Sequence, residues 1–439
     1  MSATTENKPQ SKTRANRAAG PKAASKGAAG KKAGAGKKAK AQPAAQPAEQ
    51  PDAQEQAAPA VFTGFRVDRD EFARAIAWTA RSLPSRPSVP VLAGIRLDLA
   101  DGELRLSAFD YEVSAEATVP ATFDGSAQLL LPGKVLAEIV HALPAYPVDV
   151  AVHGVKVTVT CGPARFTLLT MPVEDYPNLP EAPPLAGRVD GATFAAATAQ
   201  TAVAASRDET LPMLTGVRLE IADETITMAA TDRYRLAVRE LAWRPHAQGF
   251  TAAVVVPAKV LASAAKAFAS ADEVEISLSG PGEQHGAGML CLSAGGLRTT
   301  TRLLDPEFPK FRELMPTEFT AHADLPTGPF VETVKRVALV AERDTPIRLT
   351  FAGEQVTIEA GTGDEAQGVE VLPVTWSGEE MAIAFNHAFL LEAVGAAAGP
   401  TARLNVASPV LPAVFAGVGD DGERILGYEH LLMPIRLAS

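Results

Sequence analysis

One segment of eleven residues recurs along the chain at a spacing much longer than that of a solenoid repeat. Residues 89–99 read VPVLAGIRLDL, and residues 211–221, 122 positions later, read LPMLTGVRLEI. A shorter version, TPIRL, begins at Thr345. Repeats of roughly 20–50 residues build stacked arrays, whereas a period of this length is that of a whole domain. The sequence therefore predicts three tandem copies of one fold, which favours an extended assembly surface over a single catalytic cleft.

The beginning of the chain differs in composition from the rest. Ala, Lys, Gly, Pro and Gln dominate residues 1–60, and no aromatic residue precedes Phe62. Such a segment cannot bury enough apolar surface to offset its chain entropy, so we predict a disordered arm over 1–60. The arm holds 11 Lys and Arg against 4 Asp and Glu, a net charge of +7, which leaves −17 for the remainder.

Three interpretations of this basic arm stay open. A targeting signal is disfavoured because the arm has no apolar run and is richer in Lys than in Arg. Attraction to nucleic-acid phosphates is typical of Lys-rich arms, and a solvated spacer is the plainest alternative. No stretch of the chain reaches the roughly 18 apolar residues of a membrane span.

Each copy combines helical and strand patterns. In the first copy, a short strand at 65–67 precedes a helix that places Phe72 and Ile76 on one side. Alternating apolar residues at 95, 97 and 99 then predict a strand, with a hairpin turn at Asp101-Gly102. A second helix begins near Gly133, and we expect its buried side to carry Val135, Ile139, Val140 and Leu143.

The later copies repeat this order, which predicts an α+β class with three domains of two helices on antiparallel strands. We place domain 1 at 61–182, domain 2 at 183–318 and domain 3 at 319–439. Cys161 and Cys291 fall at matching places in successive copies and are predicted to be reduced strand residues.

Basic residues recur on the predicted helices although the body of the protein is acidic. An acidic surface with one basic wall repels DNA from most directions and accepts it along that wall. Solvated helix faces are the alternative for any one pair. The candidate DNA-facing residues are Arg74, Arg81, Arg86, Lys259, Lys266, Lys335 and Arg336.

Several motifs, in order and at this spacing, resemble the bacterial sliding clamp, the β subunit of DNA polymerase III. They are RPSVP at 86–90, RFTL at 165–168, YPNL at 176–179, ATDRYRLAV at 230–238, FPKFR at 308–312 and LMPIRL at 432–437. The resemblance covers residues 61–439. It implies a DNA clamp fold in which one chain forms half of a ring and closes it as a head-to-tail homodimer around duplex DNA.

A size estimate supports two chains per ring. Six helices about 10 Å apart line a circle roughly 19 Å across, whereas the groove depths of B-DNA alone sum to about 16 Å before the backbone is counted. Twelve helices give roughly 38 Å. The resemblance places the interface at Phe166 and Leu168 on an edge strand of domain 1, and at Ala338 and Leu339 on the first helix of domain 3, where Ala338 is smaller than the usual residue.

The resemblance also implies an adaptable apolar groove for short partner peptides. The partners would be the polymerase III catalytic subunit, the clamp loader and other proteins with a clamp-binding motif. Arg233-Tyr234 stands where the family often has Gly-His, and Glu313 where a basic residue is common. The groove residues implied are Leu211, Leu214, Thr231, Arg233, Tyr234, Arg235, Leu236, Pro309, Leu314, Leu431, Leu432, Met433, Pro434, Ile435, Arg436 and Leu437.

Enzymatic motifs find little support in the sequence. The GxGxxG match at 417–422 leads into strand-like residues and not into a helix, so we predict a hairpin turn there. The seven histidines are scattered without a metal-binding spacing, and no GxSxG occurs. We therefore predict a cytoplasmic, nucleoid-associated processivity clamp without cofactor, metal or catalytic residues. The alternative is a paralogous clamp for repair or for tolerance of clamp-directed inhibitors.

Overall fold

A computed structural model describes residues 62–279, 288–341, 345–361 and 366–436. The arm predicted for 1–60 and the groove residue Leu437 lie outside these ranges. Within them the chain repeats one order of elements three times, β-α-β-β-β-β-α-β-β-β, with one short additional strand after the fourth strand in domains 2 and 3.

Domain 1 comprises β1 (Gly64–Val67), α1 (Arg69–Thr79), β2 (Gly94–Ala100), β3 (Glu103–Phe109), β4 (Val113–Phe123), β5 (Ala127–Pro132), α2 (Gly133–His141), β6 (Val148–His153), β7 (Lys156–Cys161) and β8 (Ala164–Leu169). Domain 2 comprises β9 (Leu185–Val189), α3 (Gly191–Ala202), β10 (Gly216–Ala222), β11 (Thr225–Thr231), β12 (Arg235–Ala242), β13 (Arg244–Pro245), β14 (Thr251–Pro257), α4 (Ala258–Phe268), β15 (Val274–Leu278), β16 (Met289–Ala294) and β17 (Leu297–Arg302). The short helix α5 (Phe311–Leu314) lies in the connection to domain 3.

Domain 3 comprises β18 (Ala321–Pro326), α6 (Thr327–Val337), β19 (Ile347–Ala352), β20 (Gln355–Ala360), β21 (Gly368–Pro373), β22 (Thr375–Ser377), β23 (Met381–Phe385), α7 (His387–Ala396), β24 (Thr401–Val406), β25 (Ala413–Val418) and β26 (Tyr428–Leu432). All strand pairs in the described ranges are antiparallel.

Local chemistry accounts for the element boundaries. The Asp68 carboxylate accepts hydrogen bonds from the backbone N–H groups of Asp70 and Glu71 and so caps α1. Asp190 and Asn386 cap α3 and α7 in the same way. At the predicted hairpin, Asp101 and Gly102 have φ values of 55° and 78°, the paired positive values that a type I′ turn requires. Residues 419–422 form a turn after β25, as the sequence predicts.

The buried side of α2 differs from the prediction in one residue. Val135 is 45% exposed, whereas its neighbour Leu136 is fully buried together with Val140. Val135 and Val140 are five residues apart, which is about 140° beyond one full helical turn, so both cannot occupy the centre of one narrow buried stripe. Leu136 lies four residues before Val140 and shares its face.

The helices of the three domains form one continuous row. Within each domain, α1 packs on α2, α3 on α4 and α6 on α7. Between domains, the Arg81 guanidinium donates to the Ser263 carbonyl of α4, and the Gln200 amide of α3 donates to the Ala396 carbonyl of α7 at 2.9 Å. The order along the row is therefore α2, α1, α4, α3, α7, α6.

Strand pairing joins consecutive domains by one rule. The fourth strand of domain 1, β4, pairs with β17, the last strand of domain 2. The fourth strand of domain 2, β12, pairs with β26, the last strand of domain 3. One strand of each type is left without a partner in another domain: in the described ranges, β21, the fourth strand of domain 3, pairs with β20 alone, and β8, the last strand of domain 1, pairs with β7 alone.

Candidate functional site

An apolar cavity of about 280 Å³ lies where domain 2, domain 3 and the connection between them meet. A cluster of buried residues that includes Ala229, Phe311 and Val414 supports it from below. Such a concave apolar surface with a few charged groups on its walls is suited to a short peptide. Its lining residues are Thr231, Arg233, Arg235, Leu236, Pro309, Leu314, Pro412, Leu431 and Met433.

Eight of these lining residues are among the groove residues implied by the sequence, and Pro412 is an addition. Pro412 lies in the loop between β24 and β25, far from every quoted motif, and only the pairing of β25 with β26 brings it to the cavity. The apolar stretch Val410-Leu411, whose side chains are half exposed, is the one local signal that could have indicated this loop.

The remaining implied groove residues have other environments. Leu432 is fully buried in the core of domain 3, because it alternates with Leu431 along β26 and faces the opposite side of the sheet. Leu214 is also buried, whereas Tyr234, Ile435 and Arg436 are exposed beside the cavity. Leu211 and Pro434 are partly exposed and do not line it.

The C-terminal segment is attached to both neighbouring domains through its backbone. The Met433 N–H donates to the Tyr234 carbonyl of domain 2 at 2.8 Å, and the Ile435 N–H donates to the Ala384 carbonyl of domain 3 at 2.8 Å. The Met433 bond extends the β12–β26 junction past its last strand residue, and the Ile435 bond attaches the segment to β23. The position of Met433 on the cavity wall therefore depends on the junction itself.

Arg235 forms the back of the cavity. It is only 4% exposed, and its guanidinium pairs with Asp232 at 2.9 Å and with Glu392 of α7. Two carboxylates therefore compensate this charge. The sequence places Arg235 in the groove, and the structure shows that its side chain also ties the groove wall to domain 3.

His430 is fully buried on β26, next to this wall. Its Nδ1 lies 3.0 Å from the Tyr428 hydroxyl. Burial, together with the nearby charge of Arg235, lowers the pKa of His430 to about 3. The imidazole is therefore neutral at physiological pH.

Domain 1 has a turn similar to the one at Thr231, but a large aromatic ring stands where domain 2 has the threonine. The position equivalent to Thr231 is Phe109, and its ring is 6% exposed in an apolar cluster with Leu92 and Tyr176. A small residue in domain 2 and a large aromatic one in domain 1 thus distinguish the two otherwise similar junctions.

The candidate DNA-facing residues fall into two groups. Arg86 and Lys266 are exposed and make no side-chain hydrogen bond or ion pair within the described residues. The others have partners: Arg74 with Glu71, Arg81 with Ser263, Lys259 with Glu209, Lys335 with Glu332 and Arg336 with Glu370 of β21. Lys259 also borders a cavity of about 540 Å³ between α4 and the loop 203–215.

The candidate interface residues lie at the two free sheet edges. Phe166 is 37% exposed on β8, and Leu168 is partly buried against the core. Ala338 and Leu339 lie in a short 3₁₀ turn directly after α6, where Leu339 is 83% exposed. This turn contacts β21, whose Val369 and Val371 are also exposed. Sequence reasoning did not find β21, because its lack of a partner strand is a property of the assembled sheet.

Family comparison matches all three domains in order. Models of the N-terminal, central and C-terminal domains of the DNA polymerase III beta subunit match residues 63–180, 188–310 and 312–436. The chain belongs to the DNA polymerase III β-subunit family. The predicted family, the α+β clamp fold in three tandem copies and the sliding-clamp function are thereby confirmed.

Curated relatives of this clamp have nearly the same extent as residues 62–436. The chain is 49% identical over 374 residues to the "Beta sliding clamp" of Streptomyces coelicolor, covering 85% of this chain and 99% of the relative. It is 38% identical over 373 residues to the "Beta sliding clamp homolog GriR" of Streptomyces muensis, with the same coverage. The crystal structure of the Bacillus subtilis DNA polymerase sliding clamp has the same fold, with a TM-score of 0.77 at 22% identity over 86% of this chain and all of that one.

No helix in the described ranges of this clamp is both long and apolar enough to cross a membrane.

Proposed function

We propose that this clamp encircles duplex DNA as a head-to-tail homodimer and tethers the replicative DNA polymerase through its apolar groove. The proposal rests on how the strands pair at the junctions between domains. Each junction between domains pairs a fourth strand with a last strand, and within the part of the chain that the structure describes one strand of each kind, β21 of domain 3 and β8 of domain 1, has a free edge. Pairing β21 of one protomer with β8 of another repeats the internal junction and closes a ring after two chains.

The row of helices supports a channel for DNA. A ring closed in this way has twelve main helices in one continuous row, and the size estimate gives it room for a duplex with water and counterions. Exposed Lys266 and Arg86 supply attraction to phosphates without reading bases, which permits sliding. Partners in this role are duplex DNA of any sequence, the polymerase, the clamp loader and other proteins with a clamp-binding peptide.

The clamp acts by binding and holds no catalytic residues in this proposal. Its site of action is the nucleoid in the cytoplasm. The alternative, a paralogous clamp for repair or inhibitor tolerance, shares the fold and the groove.

The test measures topological linkage to DNA. The full-length chain is loaded with a clamp loader and ATP onto nicked circular DNA, and half of the sample is then linearised at one site. We expect the clamp to co-sediment with circles at high salt and to be lost from linear molecules, because a ring slides off a free end. Equal retention on both forms would contradict encirclement and indicate ordinary surface binding.

A further inference from the structure

Arg233 has a backbone conformation that an arginine rarely adopts. Its φ is +80°, in the left-handed region that favours glycine. Asp101 and Asp223 share a positive φ but are turn residues of a type that is enriched there. A conformation of this kind persists only where surrounding contacts determine it, and a long side chain held there needs an explanation.

The neighbours of Arg233 determine its conformation. The Asp232 carboxylate accepts hydrogen bonds from the N–H groups of Tyr234 at 3.0 Å and Arg235 at 3.1 Å. The Thr231 hydroxyl accepts from the Arg233 N–H at 3.2 Å. Only the Thr231 contact involves Arg233, through its backbone N–H, and none of the three involves its side chain, so the turn does not need an arginine.

The equivalent turn of domain 1 has the same backbone conformation, but the side chain of its residue at positive φ has a different environment. Asp110 accepts from the N–H groups of Glu112 and Val113, and Tyr111 between them has a φ of +77°. The ring of Tyr111 packs against Phe109 with centroids 5.5 Å apart. In domain 1 the residue at positive φ therefore packs on the protein, whereas in domain 2 the Arg233 side chain lines an open cavity.

The charge of Arg233 is uncompensated. Its guanidinium makes no hydrogen bond or ion pair with any residue that the structure describes, and the residue is exposed on the cavity wall. The Asp208 carboxylate, whose pKa is lowered by hydrogen bonds from Thr210 and to a smaller extent by the charge of Arg233, accepts from the N–H and hydroxyl of Thr210 at 3.0 and 2.7 Å and makes no ion pair with Arg233 among the described residues. Glu313, beside the cavity residue Leu314, pairs with Lys310 at 3.3 Å.

We propose that Arg233 makes the groove selective for peptides that carry a carboxylate next to their apolar anchor residues. This inference rests on the proposed function of the groove as a peptide site. An unpaired guanidinium beside an apolar surface binds a carboxylate through charge-assisted, bidentate hydrogen bonds. The other charge lining the cavity, Arg235, is already neutralised by Asp232 and Glu392 and cannot give the same preference.

The experiment compares matched peptides on the full-length chain. Nine-residue peptides share a Leu-Phe anchor and carry Glu or Gln at each flanking position in turn, and their affinities are measured by fluorescence anisotropy. We expect one position at which Glu binds roughly tenfold tighter than Gln, the range typical of a hydrogen bond to a charged group. The preference should shrink as NaCl rises from about 0.05 M to about 0.5 M.

Substitutions of Arg233 test whether this residue produces the preference for a carboxylate. Arg233→Gln and Arg233→Gly should abolish the preference, so that Glu and Gln peptides bind each variant with equal affinity, and Gly suits the positive φ, so folding should be retained. Arg233→Lys should keep only part of it, because an ammonium lacks the planar fork. Arg66→Gln serves as the matched control, since Arg66 is an exposed arginine on β1 of domain 1, outside the groove, and this variant should keep the full preference.

The outcomes separate this inference from the proposed function. Equal binding of Glu and Gln peptides to the unchanged chain, or a full preference that persists in Arg233→Gln, would overturn the role of Arg233 and leave the groove assignment standing. Absence of binding by every peptide would overturn the groove assignment and the inference with it.

Discussion

The guanidinium of Arg235 lies over the ring of Phe389, 4.2 Å from its centroid. Arg235 belongs to β12 of domain 2 and Phe389 to α7 of domain 3, so this contact crosses the junction behind the groove. Arg235 also pairs with Glu392 of α7, so one buried side chain joins the wall of the groove to this helix through two contacts.

Replacing Arg235 with Met should destabilise the clamp by about 3 kcal/mol. The change leaves Asp232 and Glu392 without their shared cation, and loss of one member of a buried ion pair is costly. Urea unfolding followed by circular dichroism measures the effect. Arg207→Met is the control, because Arg207 pairs with the same Glu392 at 3.6 Å but is 88% exposed, and it should cost less than about 1 kcal/mol. Equal losses in the free energy of unfolding for the two variants would show that the burial of Arg235 adds no stability.

Changing both Val369 and Val371 to Glu should convert the clamp to a monomer. Both side chains are exposed on the free edge strand β21, and the new carboxylates would be desolvated against β8 of the partner. Sedimentation equilibrium should show half the mass. Leu426→Glu is the matched control, since Leu426 is 80% exposed away from both edges. A dimer that survives the double change would place the interface elsewhere.

The paired change Phe166→Asp and Leu168→Asp should have the same effect from the other side of the interface. Leu168 also packs on the core of domain 1, so circular dichroism must first show that the variant is folded. A folded dimer would contradict the assignment of β8.

Removing Lys266 should weaken DNA binding uniformly across sequences. Lys266 is exposed on α4 without an ion pair in the described ranges, so its full charge is available to a phosphate. For Lys266→Gln we expect the slope of log affinity against log salt concentration to fall by about 0.9. Lys310→Gln, in the connection between domains 2 and 3, is the control and should leave the slope unchanged. An unaltered slope for Lys266→Gln would remove α4 from the DNA contact.

Truncation before Met433 should abolish peptide binding and leave the ring assembled. The truncation removes one wall residue of the cavity and the backbone bond from Met433 to Tyr234, but it does not touch β8 or β21. Fluorescence anisotropy with a polymerase-derived peptide and sedimentation on the same sample measure the two properties. Undiminished peptide affinity would mean that partners bind elsewhere.

Acidification should destabilise this clamp through His430. The pKa of its buried imidazole is about 3, below the ordinary value of 6.5, so the unfolded chain takes up the proton first. The neutral ring contributes full stability above pH 6.5, and that contribution declines as the pH falls toward 3, by about 2 kcal/mol at pH 5. Thermal melting of His430→Asn should show a smaller decrease in Tm between pH 7 and 5 than the unchanged chain. Parallel decreases would assign the acid sensitivity to other groups.

Much of the fold was predictable because its signals are local. The turn at Asp101-Gly102, the alternation at 95, 97 and 99 and the cap at Asp68 each depend on neighbours within a few residues. Periodicity alone did not place Val135, whose exposure depends on the phase at which α2 packs on α1. The groove motif at 230–238 and the C-terminal motif were recognisable in the sequence, although they are far apart along the chain.

Three like domains, their element order and the basic residues on the helices were predictable from the sequence, since repetition, side-chain periodicity and formal charge are properties of the linear chain. Three features required the folded structure: which strands have a free edge, that Pro412 lines the groove, and that Arg336 pairs with Glu370 while Lys266 has no ion-pair partner among the described residues. These features depend on contacts between residues distant along the chain, and a pattern read along the chain contains no distances between them.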